Sequence, residues 1–184
     1  MICVVKGERW ERVTLEMNPQ GVADFRTLTQ SASHQPAVYV HIEAPTRRVL
    51  RVGKAEGGLH RRWTTARNGH LATFEWAMGW SERYQPYAPK FPKYVLFFWR
   101  LAGMRTNLWF LTCEKPSVDD KEEDLIAEYG PIWEEFRRVC KAKGVRKGER
   151  LGRAVSGRDF TDPALPNLDG LQSRRLWPPC DKGE

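Results

Sequence analysis

Residues 37–43 read Ala-Val-Tyr-Val-His-Ile-Glu, which places Val38, Val40 and Ile42 on one side and Tyr39, His41 and Glu43 on the other. That period of two is the signature of a strand with one aliphatic and one polar face. A turn containing Pro45 leads into Val49-Leu50-Arg51-Val52-Gly53, which alternates again, so the two segments are expected to form a β-hairpin. Gly57-Gly58 then opens LHRRWTTARNGH, with Leu59, Trp63 and Ala66 at helical spacing and Asn68-Gly69 as its stop. Strand, strand, helix commits the middle of the chain to a mixed α/β (α+β) domain.

Further along, ATFEWAMGW reads as a helix, followed by a loop rich in Pro and Tyr, QPYAPKFPKY. The run YVLFFWRL is the most apolar in the chain and is expected to be a buried central strand. TNLWFLTCE fits a helix or a strand. Ser117 is placed to cap VDDKEEDLIAEY, whose acidic first turn suits the helix dipole. Gly130-Pro131 breaks that helix, and IWEEFRRVCKAK continues as another. The expected fold is a small three-stranded sheet, mixed but mainly antiparallel, flanked by helices. Residues 1–35 are read as an N-terminal extension holding ICVV and a strand RVTLEM, residues 36–143 as the domain, and residues 144–184 as a basic C-terminal arm.

With 184 residues, 41% of them hydrophobic and eight of them Trp, the chain carries enough apolar surface for a core. No apolar stretch is long enough to span a membrane, because VLFFW is followed at once by Arg100. Lys6, Glu8 and Arg9 interrupt the N-terminus where a signal peptide stays apolar, so a cytoplasmic protein is expected. Cys3, Cys113, Cys140 and Cys180 form no C-x-x-C pair, and neither a disulfide framework nor a zinc site is expected.

The net charge of +7 favours polyanions as partners. Its distribution says more. Residues 45–70 carry seven basic side chains (Arg47, Arg48, Arg51, Lys54, Arg61, Arg62, Arg67) and one acid, Glu56. Residues 141–158 repeat that balance with Lys141, Lys143, Arg146, Lys147, Arg150, Arg153 and Arg158 against Glu149. Between them, residues 114–135 hold nine acids and two lysines. Alternating solvated faces would explain such a pattern, and so would phosphate binding by the two basic stretches.

Three short motifs stand in register. Ala37-Val38-Tyr39 is followed after eleven residues by Arg51-Val52-Gly53-Lys54-Ala55, and Arg62-Trp63 follows nine residues after Gly53. Farther on comes Glu122-Glu123-Asp124-Leu125-Ile126, with Pro131 five residues after Ile126. Over residues 36–135 this order resembles the GIY-YIG nucleases, most closely their stand-alone, restriction-enzyme-like branch. In that family two motifs lie on a hairpin, an Arg on the next helix and a Glu on a later one.

The resemblance implies metal-dependent endonuclease cleavage of DNA phosphodiesters, with Mg²⁺ or Mn²⁺ as cofactor. Double-stranded DNA is the expected partner, with no membrane association and with homodimer formation left open. Tyr39 would activate the water, Arg62 would clamp the phosphate and Glu122 would hold the metal; Arg51, Lys54 and His41 complete the expected catalytic set. Arg61 competes with Arg62 for the clamping role. Arg47, Arg48, Arg61, Arg67, Lys147, Arg150 and Arg153 are the expected nucleic-acid contacts.

Three positions depart from the family pattern: Arg51 stands for the usual Tyr, Ala66 for a His, and Glu134 for an Asn. An arginine beside Tyr39 favours its phenolate, which makes Arg51 a workable substitute. Residue by residue, the chemistry agrees with these roles. Phosphodiester hydrolysis asks a protein mainly for charge neutralisation around the phosphoryl oxygens. Glu122 precedes Leu125 by three residues and Ile126 by four, which turns it towards the apolar side of its helix, unlike Glu123 and Asp124. A carboxylate so placed needs a partner, either a divalent cation or an arginine. The rival reading is a nucleic-acid-binding module with little or no turnover, and a third is an unrelated basic α+β protein.

Overall fold

The structure is a computed structural model. It describes residues 1–30, 34–65, 69–81, 92–145 and 160–179. Two strands open the chain, β1 (Ile2–Val5) and β2 (Glu8–Glu16), followed by helix α1 (Pro19–Thr29). The hairpin strands are β3 (Ala37–Glu43) and β4 (Val49–Ala55), and helices α2 (Leu59–Thr64), α3 (His70–Ala77) and α4 (Pro92–Trp99) come next. Strand β5 (Arg105–Thr112) and helices α5 (Val118–Tyr129) and α6 (Ile132–Ala142) complete the elements. The chain divides into two compact units. One comprises Met1–Arg62, Gly103–Ile132 and Gln172–Glu184; the other comprises Trp63–Ala102 and Trp133–Leu171.

The first unit is built on one five-stranded sheet of order β1-β2-β5-β3-β4, antiparallel at every pairing. The α+β class is therefore as expected, but the sheet has five strands where three were expected, and none is parallel. The two additional strands come from the N-terminal segment, which is no appendage: β2 pairs with β5 from Glu11↔Phe110 to Glu16↔Arg105. Lys6 and Gly7 join β1 to β2 with φ of 52° and 79°, the two positive values that a tight two-residue hairpin turn demands.

The third expected strand was misplaced. The run YVLFFW is helical in α4, and the ambiguous segment after it supplies the strand β5, which lies between β2 and β3. Val95, Leu96, Phe97 and Phe98 are all buried, so the run shows no period that separates helix from strand. Pro92 at its first helical position was the usable signal.

Alternation sorts the hairpin as expected. Val38, Val40, Ile42, Val49 and Val52 join Cys3, Val5, Trp10 and Trp109 in the core on one sheet face, where Leu125, Ile126 and Tyr129 of α5 cover them. The C-terminal stretch closes this core. Trp177, 1% exposed, packs 5.0 Å from Trp10 and 5.1 Å from Tyr129, and its backbone N–H donates to the Arg47 carbonyl. Arg174 donates to the Ala127 carbonyl, and Arg175 pairs with Glu128 at 3.4 Å. These two arginines thus brace the end of α5.

On the other side of the first unit, α1 packs against β2, starting at an Asn18 cap whose side chain accepts from the Gly21 N–H at 2.8 Å. The second unit holds an aromatic cluster. Trp63 stands edge-on to His70 at 4.8 Å, Phe98 stacks on His70 at 5.3 Å, and the Tyr94 hydroxyl hydrogen-bonds the His70 ring. Cys113 and Cys140 are free thiols, whereas Cys3 is disulfide-bonded, contrary to expectation for that residue. No helix among the described residues is long and apolar enough to cross a membrane.

Candidate functional site

The expected catalytic residues fall into two groups on the hairpin. Tyr39 pairs with Gly53 and His41 with Arg51, so these side chains share the face opposite α5. Tyr39 is fully buried. Its ring lies against the backbone of Gly53, where a Cβ would stand 2.3 Å from the Tyr39 hydroxyl oxygen and 2.5 Å from Cζ. The glycine of the second motif is thus required by the tyrosine of the first.

His41 is fully buried beside this pair, and burial followed by the charge of Arg51 lowers its pKa to about 3. It is neutral throughout the neutral range, which removes it as a proton carrier there. Arg51 is 8% exposed.

The other group lies at the outer edge of the sheet, where β4 has no further strand beside it. Lys54 pairs with Val38 on the face that α5 covers. Its ammonium forms an ion pair with Asp119 and a longer one, 3.8 Å, with Glu56. The hydrogen bond to Asp119 raises the Lys54 pKa above its ordinary value.

One turn beyond Asp119, Glu122 is half-buried while Glu123 and Asp124 are exposed. Burial raises the pKa of Glu122 above the usual carboxylate range. The charges of Lys54, Arg51 and Arg62 oppose that shift, and Asp119 adds to it. Among the described residues Glu122 makes no hydrogen bond or ion pair. Arg62 is exposed on α2, and its side chain likewise has no hydrogen bond or ion pair among them. A carboxylate partly withdrawn from water, and three cations acting on it, make a site that could take a phosphate with a hard cation.

Asp119 escaped the sequence reading, which treated it as one of several first-turn acids. Its position three residues before Glu122 on the same helix was the available signal. The donor set suits a metal that keeps most of its waters. No group of three or more His, Cys, Asp or Glu that could hold a metal exists among the described residues. A closed zinc site needs such a group, whereas Mg²⁺ is held by one or two carboxylates together with substrate phosphate.

The expected nucleic-acid contacts separate as well. Arg48 is committed to Glu43 at 2.7 Å. There burial pushes the Glu43 pKa up, and the bonds from Arg48 and Thr46 more than offset it, leaving it lowered. Arg47, at φ 60° in the β3–β4 turn, has no side-chain bond or ion pair among the described residues. Arg61 is exposed, with its Cδ over Gly57. Arg67, Lys147, Arg150 and Arg153 lie outside the described residues. No protein-family model matches the chain, and no curated protein or solved structure does so either.

Proposed function

We propose that the protein is a metal-dependent endonuclease of the GIY-YIG type that hydrolyses DNA phosphodiester bonds. The observation that carries this reading is Glu122, a half-buried carboxylate with no bond to any described residue, acted on by Lys54, Arg51 and Arg62. Removing a carboxylate from water without a partner is costly, and a site that maintains one is built for something that arrives later. The placement of the motifs, the first two on the hairpin β3–β4, Arg62 on the helix α2 that follows it and Glu122 on the later helix α5, further supports the family reading.

Glu122 would hold Mg²⁺ or Mn²⁺, which when bound neutralises charge on the phosphoryl oxygens and acidifies water. Arg62, exposed and uncommitted, binds the non-bridging oxygens. Lys54, released from Asp119 by an incoming phosphate, adds a second positive contact. Tyr39 and Arg51 organise the floor of the hairpin, and water activation by Tyr39 requires its buried hydroxyl to be uncovered. Double-stranded DNA is the proposed substrate. The free thiols of Cys113 and Cys140 agree with a cytoplasmic setting, and the disulfide at Cys3 argues against it.

The complete burial of Tyr39 favours a second reading, a binding module on the same scaffold with little turnover. Incubating supercoiled plasmid with the protein in Mg²⁺, Mn²⁺ or EDTA, beside Glu122→Ala, decides between the two. Metal-dependent nicking that the variant loses by at least about a hundredfold is expected. No nicking, together with a salt-sensitive gel shift, replaces the nuclease by the binding module.

A further inference from the structure

The first unit has a second polar concavity, of about 430 Å³, on the face of the sheet that α5 partly covers. Arg12 and Thr14 of β2, Arg105 and Asn107 of β5, and Ala44 and Pro45 after β3 line it. Register explains why these side chains meet: Arg12 stands opposite Trp109, Thr14 opposite Asn107, and Glu16 opposite Arg105, all on the Trp109 face.

The lining is rich in donors. Thr14 donates its hydroxyl hydrogen to the Asn107 Oδ1 at 3.0 Å, which leaves the Asn107 amide N–H₂ as the outward group. Arg12 lies 5.5 Å over the Trp109 ring and gives one N–H to the Met1 sulfur, a weak acceptor, and it has no ion pair among the described residues. Arg105 is paired with Glu16 at 3.2 Å, with 66% of its side chain exposed. A guanidinium stacked in place and an oriented amide, with the nearby acid already occupied, select an anion.

We propose that this cleft binds a backbone phosphate of a nucleic acid, at a place distinct from Glu122. The assignment rests on the nuclease or nucleic-acid-binding reading, and the net charge of +7 argues for a polyanion over a lone anion. Spacing points the same way. Asn107 stands opposite Ile42 and Lys54 opposite Val38, four residues apart on β3. That separation is about 13 Å along β3 and two strand spacings, about 10 Å, across it, a span that one stretch of duplex covers.

The test is fluorescence anisotropy of a short labelled duplex over a salt series. It is run in EDTA on full-length Glu122→Ala, so that cleavage plays no part. Adding Arg12→Gln should weaken binding about fivefold at 0.15 M salt and reduce the logarithmic salt slope by about 0.9, the signature of one lost phosphate contact. Asn107→Asp keeps the acceptor for Thr14, so the fold is preserved, and should weaken binding by repulsion to a similar extent. Arg12→Lys should restore most of the slope. Unchanged affinity and slope in both Arg12→Gln and Asn107→Asp would overturn the assignment. In a parallel titration with inorganic phosphate, loss of phosphate binding in Arg12→Gln with duplex affinity intact would overturn the nucleic-acid part. Failure of the plasmid assay alone bears on the nuclease and leaves the cleft standing.

Discussion

Arg51 and Lys54 are three residues apart on one strand, yet they face opposite fates. Arg51 is sealed with Tyr39 and the neutral His41 on one side of the sheet, whereas Lys54 lies at the open edge with Glu122 and Arg62. The sealed side behaves as core. There burial and the retained charge of Arg51 keep His41 neutral, and Tyr39 packs so closely on Gly53 that no side chain fits between them. The open side keeps its charges. Under the proposed function, the difference puts phosphate recognition at the sheet edge and gives the tyrosine motif the task of shaping that edge from beneath.

The largest expected effect belongs to the sealed side. His41 has a folded pKa of about 3, depressed from 6.5, so the unfolded chain binds the proton first as pH falls. Its contribution is complete above pH 6.5 and is lost between pH 6.5 and about 3, by up to about 5 kcal/mol. Urea unfolding of the wild type and of His41→Leu across that range should show a flatter acid limb in the variant. An identical limb would mean that His41 is solvated, and the contrast between the two sides would collapse.

Gly53→Ala comes next. The added methyl meets the Tyr39 ring at 2.5 Å, and a fully buried ring has nowhere to go without moving β3 or β4. A loss of about 3 kcal/mol by denaturant titration is expected, at the upper end for overpacking. Cleavage should fall with it at temperatures where the variant is still folded, because Arg51 and Lys54 flank the disturbed residue. A variant of native stability would mean that Tyr39 swings out readily, which would favour Tyr39 as the residue that meets water.

The contrast was half legible in the sequence. Alternation in residues 37–43 fixed which side chains share a face, and the helical offset from Leu125 and Ile126 separated Glu122 from Glu123 and Asp124. Neither reveals depth. Tyr39, His41 and Glu43 read as a polar, solvated face, and the first two are buried because neighbouring elements cover them. Tertiary cover has no local signature, and neither has Trp177, an aromatic in a Pro- and Gly-rich tail that joins the core. The two N-terminal strands carried a usable sign, the Lys6-Gly7 turn between apolar runs. Their place in the sheet did not show, because it depends on β5, a segment ambiguous by period.

The smallest effect tests the open side. Burial raises the Glu122 pKa, so the folded protein binds this proton more tightly than the unfolded chain. Stability from this group is present at low pH and lost as pH rises through the folded pKa. At neutral pH the ionised carboxylate is therefore a net cost, even with Lys54, Arg51 and Arg62 acting on it. Glu122→Gln keeps the shape and removes the charge. Its melting temperature at pH 7 should exceed the wild type's by about 2 °C, and the two should converge below pH 4. A residue maintained against stability is what a site awaiting a cation requires. A lower melting temperature in the variant would instead make Glu122 the counter-ion of the three cations, a structural role that needs neither metal nor phosphate.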